Sequence, residues 1–195
     1  LLSHLVELRS RLLVIAIAVV IVFIALLPFS GDIFTLVSEP LRTVLPGNAM
    51  IATAVASPLL TPFKLTFFTA LFIVMPIVLF QVWNFVAPGL YKKEKRFAIP
   101  LLMTSILLFY CGIAFAYFVV FPLMFGFFVS IAPAGVEMQT DITQFLDFIT
   151  TIVFAFGIAF EVPVATVLVV WAGLTDTKKL AKARPYVFLM AFIAG

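Results

Sequence analysis

The sequence predicts an all-α polytopic membrane protein, a bundle of kinked transmembrane helices, and three observations predict it. Of its 195 residues, 65% are apolar and 11% are charged. Soluble domains run at roughly 45 to 50% and about 25%, so this chain lacks the polar surface to face water on all sides. Mean hydropathy is +1.28. Second, the charged residues leave long charge-free runs between them, at 12–31, 65–91, 97–136 and 148–160. Third, 24 Phe and 12 Pro suit lipid-facing helices that bend, and exclude collagen-like and disordered readings. A single Cys excludes an internal disulfide.

The whole chain, 1–195, reads as one transmembrane domain. The first span, near 8–28, holds about 18 apolar residues before Pro28 and Ser30, close to the minimum for a hydrocarbon core of about 30 Å. Leu1, Leu5, Leu8 and Leu12 share one helical face, which predicts a helical approach along the interface, with Ser3 as cap and Glu7 in the first two turns. The run has no small-residue cleavage site and reads as part of the mature protein rather than a signal peptide. Residues 29–64, with Pro40, Pro46, Pro58 and Pro62, are expected to form a partly folded cap against the outer leaflet. The second span is expected at 65–90. The third, at 97–130, should bend and end near Ser130 because of Pro122 and Pro133. The fourth, at 148–174, carries Glu161 at its centre. A fifth begins at Pro185 and is cut at Gly195 inside an apolar run, so the chain reads as a fragment.

Orientation follows from Lys and Arg. Arg9 and Arg11 lie at the amino end, Lys92, Lys93, Lys95 and Arg96 after the second span, and Lys178, Lys179, Lys182 and Arg184 after the fourth. Those ten stand against Arg42 and Lys64 on the other face, where Asp32, Glu39, Glu137, Asp141 and Asp147 gather. The bias predicts a cytoplasmic amino terminus and cytoplasmic basic links.

Little here supports catalysis. The one His, His4, lies at the membrane edge, away from any nucleophile at membrane depth. His4 and Cys111 supply no metal-ligand set, Gly-rich phosphate loops are absent, and the basic links are too short for a nucleic-acid platform. No cofactor is expected. Two constellations stand out instead. Glu161 lies mid-span, where an ionised acid costs on the order of 2.5 to 3.5 kcal/mol, and Pro163 beside it frees a backbone carbonyl. It is either a protonated acid bonded within the bundle or a site for a polar group of a partner helix, a substrate or a proton. Glu7 and Glu94 are acids in otherwise basic segments. They form either local surface ion pairs or an exposed carboxylate pair aimed at a cationic ligand, since carboxylates grip guanidinium groups bidentately. Trp83, Phe85 and Tyr91 close the second span beside Glu94, as an interfacial belt or as the apolar wall of that site.

Five ordered segments resemble the TatC family, the multispanning core of the twin-arginine protein translocase: HLVELRSRL at 4–12, SPLLTPFK at 57–64, QVWNFVAPGLYKKEKR at 81–96, FYCGIAFAYFVVFP at 109–122 and FGIAFEVPV at 156–164. The resemblance implies six helices, of which four are complete here, a fifth is truncated and the sixth is missing. It implies a non-enzymatic, multi-pass protein of a prokaryotic cytoplasmic (inner) membrane. Such a protein binds twin-arginine signal peptides of folded precursors at its cytoplasmic face, recruits TatA-like and TatB-like single-span partners, and forms a homo-oligomer within a larger complex. Export in the family is driven by the proton motive force. Carried over residue by residue, Glu7, Arg9, Phe85, Lys92 and Glu94 form the signal-peptide site, Glu161 the mid-membrane partner site, and Pro40 a functionally sensitive outer-loop position. A proton- or ion-coupled secondary transporter using Glu161 is the alternative, but such folds usually show repeated halves, and none is visible.

Overall fold

The computed structural model describes residues 2–43, 50–86, 98–131 and 140–171. Everything regular in them is helical: α1 (Leu2–Leu26), a 3-10 turn at Leu27–Phe29, α2 (Ser30–Arg42), α3 (Ser57–Val86), α4 (Ala98–Phe115), a π turn at Ala116–Val120, α5 (Phe121–Ser130) and α6 (Ile142–Trp171). Four stretches are long and apolar enough to cross a membrane: Val6–Arg42, Ser57–Phe85, Ile99–Ser130 and Ile142–Val170. The truncated fifth span, 185–195, lies outside the described residues.

The run VIAIAVVIVFIAL in α1 is rich in β-branched residues that favour strands in water. It is helical because only a helix satisfies every backbone group within one lipid-facing segment. Val19 is its one buried apolar residue among those described, so the helix is peripheral and packs chiefly on α3. Both α3 and α6 run through charges that bound the charge-free stretches, taking in Lys64 and Asp147, because these two side chains pair with each other between the helices.

Proline sets the bends, and two tyrosines repair them. Pro40 in α2 and Pro76 in α3 have no N–H to give, which frees the carbonyls of Leu36 and Phe72 four residues earlier. The Tyr117 hydroxyl donates to the Leu36 carbonyl at 2.8 Å, and Tyr110 donates to that of Phe72 at 3.1 Å. Pro122 likewise cannot donate, and the helix takes one wide turn ahead of it, with the Phe121 N–H reaching back to the Ala116 carbonyl.

Phenylalanines join the helices. A chain of ring contacts runs from Phe23 through Phe67, Phe68, Phe154 and Phe72 to Phe109, with centroids 4.9 to 6.3 Å apart, so α1, α3, α6 and α4 share one aromatic seam. A second core gathers Leu41, Ala116, Phe121, Phe125, Phe145, Ile149 and Val153, fixing α2 and α5 against α6. The most extensive helix packing is that of α4 on α6. A Cβ on Gly112 would lie 2.7 Å from the Phe156 carbonyl oxygen, and one on Gly157 would lie 2.7 Å from the Phe109 ring. Small residues permit this approach, as is usual between membrane helices.

Candidate functional site

The tight α4–α6 seam carries the mid-span acid. Ser105, Phe109 and Gly112 recur on one face of α4, continued by Ala116 in the π turn, and Val153, Gly157, Glu161 and Val164 on one face of α6. With the backbones so close, the buried Ser105 hydroxyl reaches the Glu161 carboxyl and donates to Oε2 at 2.5 Å. The other oxygen, Oε1, is buried and has no hydrogen-bond partner among the described residues. Glu161 is therefore held by one donor and keeps an acceptor in reserve inside the span, where an unused polar group is costly.

A second cluster lies where α1 meets the end of α3. Glu7 and Arg11 are one helical turn apart, and Arg11 Nη2 donates to Glu7 Oε1 at 2.5 Å. The same guanidinium donates to the Gln81 carbonyl at 3.1 Å, to Gln81 Oε1 at 3.3 Å and to the Asn84 carbonyl at 3.1 Å. A cation suits this place, because the helix dipole is negative toward the carboxyl end of α3. Arg11 thus ties Glu7 to the end of the helix that carries Phe85, which is 42% exposed, while Trp83 two residues earlier is buried. Arg9 is exposed on the same stretch of α1. Lys92, Glu94 and Tyr91 lie outside the described residues. Arg11 counted only as a topology signal in the sequence, although the Glu-x-x-x-Arg spacing is itself a helical pair signal.

Pro40 sits inside α2, one turn past the carbonyl that Tyr117 caps, and its own carbonyl accepts from the Thr43 hydroxyl at 3.0 Å. Beside this region stands a knot that sequence reasoning did not single out. Asp141 caps α6, accepting from the Thr143 and Gln144 N–H groups at 2.8 and 3.1 Å through Oδ1. Its Oδ2 accepts from the Thr53 hydroxyl at 2.7 Å and the Thr53 N–H at 3.0 Å. Ile51 pairs with the same corner, its N–H donating to the Thr140 carbonyl and its carbonyl accepting from Ile142, both at 3.0 Å. The Thr53 hydroxyl and N–H hold the Asp141 carboxyl down at about 2, against a weaker opposing effect of burial and with smaller help from the Gln144 and Thr143 N–H groups.

No three His, Cys, Asp or Glu side chains converge to hold a metal among the described residues. The family model for TatC, the Sec-independent protein translocase protein, matches residues 3–195. The chain belongs to the TatC family. It is similar to a TatC protein of Azotobacter chroococcum mcd 1, at 60% identity over all of this chain and 77% of that protein. A TatC protein of Escherichia coli strain K12 is 55% identical, again over all of this chain and 76% of its own. A crystal structure described as the twin arginine translocase receptor TatC superposes with a TM-score of 0.86 at 34% identity, covering 97% of this chain and 84% of that one. TatC proteins are components of a protein translocase and not a family of catalytic enzymes, and this chain is a membrane protein of protein transport.

Proposed function

We propose that this chain is the signal-peptide receptor and core of a twin-arginine translocase in a prokaryotic inner membrane, with its amino terminus and basic links in the cytoplasm. The observation that carries the reading is the Arg11 junction. It ties Glu7 to the end of α3, from which Phe85 projects and toward which the acid of the following link, Glu94, is close in sequence. Arg11 on Glu7 is also an internal example of the contact the site would make, a guanidinium held by a carboxylate.

In this reading Glu7 and Glu94 receive the paired arginines of a precursor's signal peptide, Phe85 packs against the apolar segment that follows, and Arg9 and Lys92 repel peptides of the wrong charge pattern. Glu161, with its reserved oxygen, receives a polar group from a TatA-like or TatB-like single-span partner. Pro40 holds the outer cap through Tyr117. Homo-oligomeric assembly and export driven by the proton motive force complete the proposal. The ten-to-two placement of Lys and Arg supports the orientation. A photocrosslinker at position 94 tests the reading. It should capture a twin-arginine signal peptide and capture a twin-lysine version far less, whereas equal capture of both, or of neither, would contradict it.

A further inference from the structure

We propose that the cleft between α3 and α6 at Lys64 and Asp147 binds the headgroup of a zwitterionic phospholipid with a primary ammonium, independently of the signal-peptide reading. The cleft encloses about 440 Å³ and is lined by Lys64, Phe68, Asp147, Thr150, Thr151 and Phe154. Its polar end is an ion pair between Lys64 and Asp147 whose side chains remain 46% and 57% exposed, although neighbouring exposed residues of α3 are Leu59, Leu60, Phe63 and Phe67. The pair sits near the starts of both helices, which the Ser57–Thr143 contact of 2.9 Å holds side by side, and so at the depth where lipid headgroups meet hydrocarbon.

Thr150 makes this a binding cleft rather than a surface ion pair. The other threonines of α3, α4 and α6 use their hydroxyls, Thr66 on the Pro62 carbonyl, Thr69 on Leu65, Thr104 on Pro100, Thr151 on Asp147 and Thr166 on Val162, at 2.7 to 2.9 Å, and Thr61 and Thr143 on each other. Thr150 does not. It is 8% exposed, its hydroxyl has no partner among the described residues, and it lines the cleft. A buried hydroxyl beside the cleft that makes no bond within the described residues has a donor left to give.

The ligand class follows from charge. An anion would be drawn by Lys64 and repelled by Asp147, and a simple cation the reverse, whereas a molecule carrying both signs meets both. The phosphate would accept from the Lys64 ammonium and the Thr150 hydroxyl, and a primary ammonium would donate to Asp147. A quaternary ammonium has no proton to give. Phe68 and Phe154, with ring centroids 5.8 Å apart, floor the cleft for the start of an acyl chain.

Native mass spectrometry of the intact chain, released from detergent with equal amounts of phosphatidylethanolamine, phosphatidylglycerol and phosphatidylcholine, tests this. The wild type should retain phosphatidylethanolamine several-fold over the other two. Thr150→Val should lower that retention several-fold without moving the melting temperature. The neutral pair Lys64→Gln with Asp147→Asn, both at exposed positions, should abolish the preference. Equal retention of the three lipids by the wild type, or a preference that survives both variants, would overturn the proposal. So would displacement of all lipid by a single-span peptide that binds wild type but not Thr150→Val, since the cleft would then belong to a partner helix.

Discussion

Asp141 and Glu161 are two carboxylates attached to one helix, and they are treated in opposite ways. Asp141, at the mouth of α6, has both oxygens occupied by four donors from Thr53, Thr143 and Gln144. Glu161, deep in the same helix, has one donor on one oxygen and a buried oxygen with none among the described residues. An acid whose every acceptor is used is part of the frame. An acid that keeps one buried acceptor unused has an unmet bond, which the proposed reading assigns to a polar group of a partner helix. The contrast separates an acid spent on the frame from one proposed to meet a partner, and each part of it can be broken.

The largest effect should come from Gly112→Ala, since the new methyl would sit 2.7 Å from the Phe156 carbonyl oxygen and backbone cannot step aside as a side chain can. Overpacking of this kind costs about 1–3 kcal/mol. The melting temperature in detergent should fall, and cysteines introduced along the α4–α6 seam should become more reactive. An unchanged melting temperature would mean that the seam does not set the Glu161 geometry.

Asp141→Asn should cost less, and its cost should depend on pH. The carboxyl sits at about 2 in the folded protein, below the ordinary carboxylate value of 3.8. A lowered value means that the ionised acid stabilises the fold, fully so above 3.8, and that this contribution disappears as pH falls through about 2. Melting curves of wild type and variant should therefore differ at neutral pH and converge near pH 2. A constant gap would show that the amide fails for reasons of shape.

Smallest in stability, and most telling in function, is Glu161→Gln. An amide oxygen can still accept from Ser105, so the fold should hardly notice, and transport with partner assembly should exceed that of Glu161→Ala or Glu161→Leu. If Gln were as damaging as Leu in a folded protein, an ionisable role would replace the polar one.

Much of this was legible in the residues. Glu161 stood out as the lone acid in an apolar run, and Pro122 announced the disturbance that the π turn at Ala116–Val120 embodies. What escaped was long-range pairing. Lys64 and Asp147 read as boundaries of the apolar runs because nothing local reveals that two charges 83 residues apart will meet. For the same reason nothing local marks Tyr110 and Tyr117, although each caps a carbonyl freed by a proline on another helix. Ser105 carried no periodic signal either, since a small polar residue in an apolar run gains meaning only from the acid opposite. Periodicity and charge placement report which way a segment faces, and side-chain bonds between helices depend on packing that no single segment encodes.

The docking claim rests most directly on signal-peptide affinity, measured in nanodiscs for wild type, Glu7→Ala, Glu94→Ala and the double variant, each checked for folding. A hydrogen bond to a charged group contributes roughly 1.5 to 3 kcal/mol, so each single change should weaken binding by about ten- to a hundredfold. Glu94→Lys should weaken it further, by adding a cation beside Lys92, Lys93, Lys95 and Arg96. The account predicts that the double variant binds a twin-arginine peptide no better than the wild type binds a twin-lysine one. Unchanged affinity in the double variant would contradict it and leave Glu7 with Arg11 as a surface ion pair and nothing more.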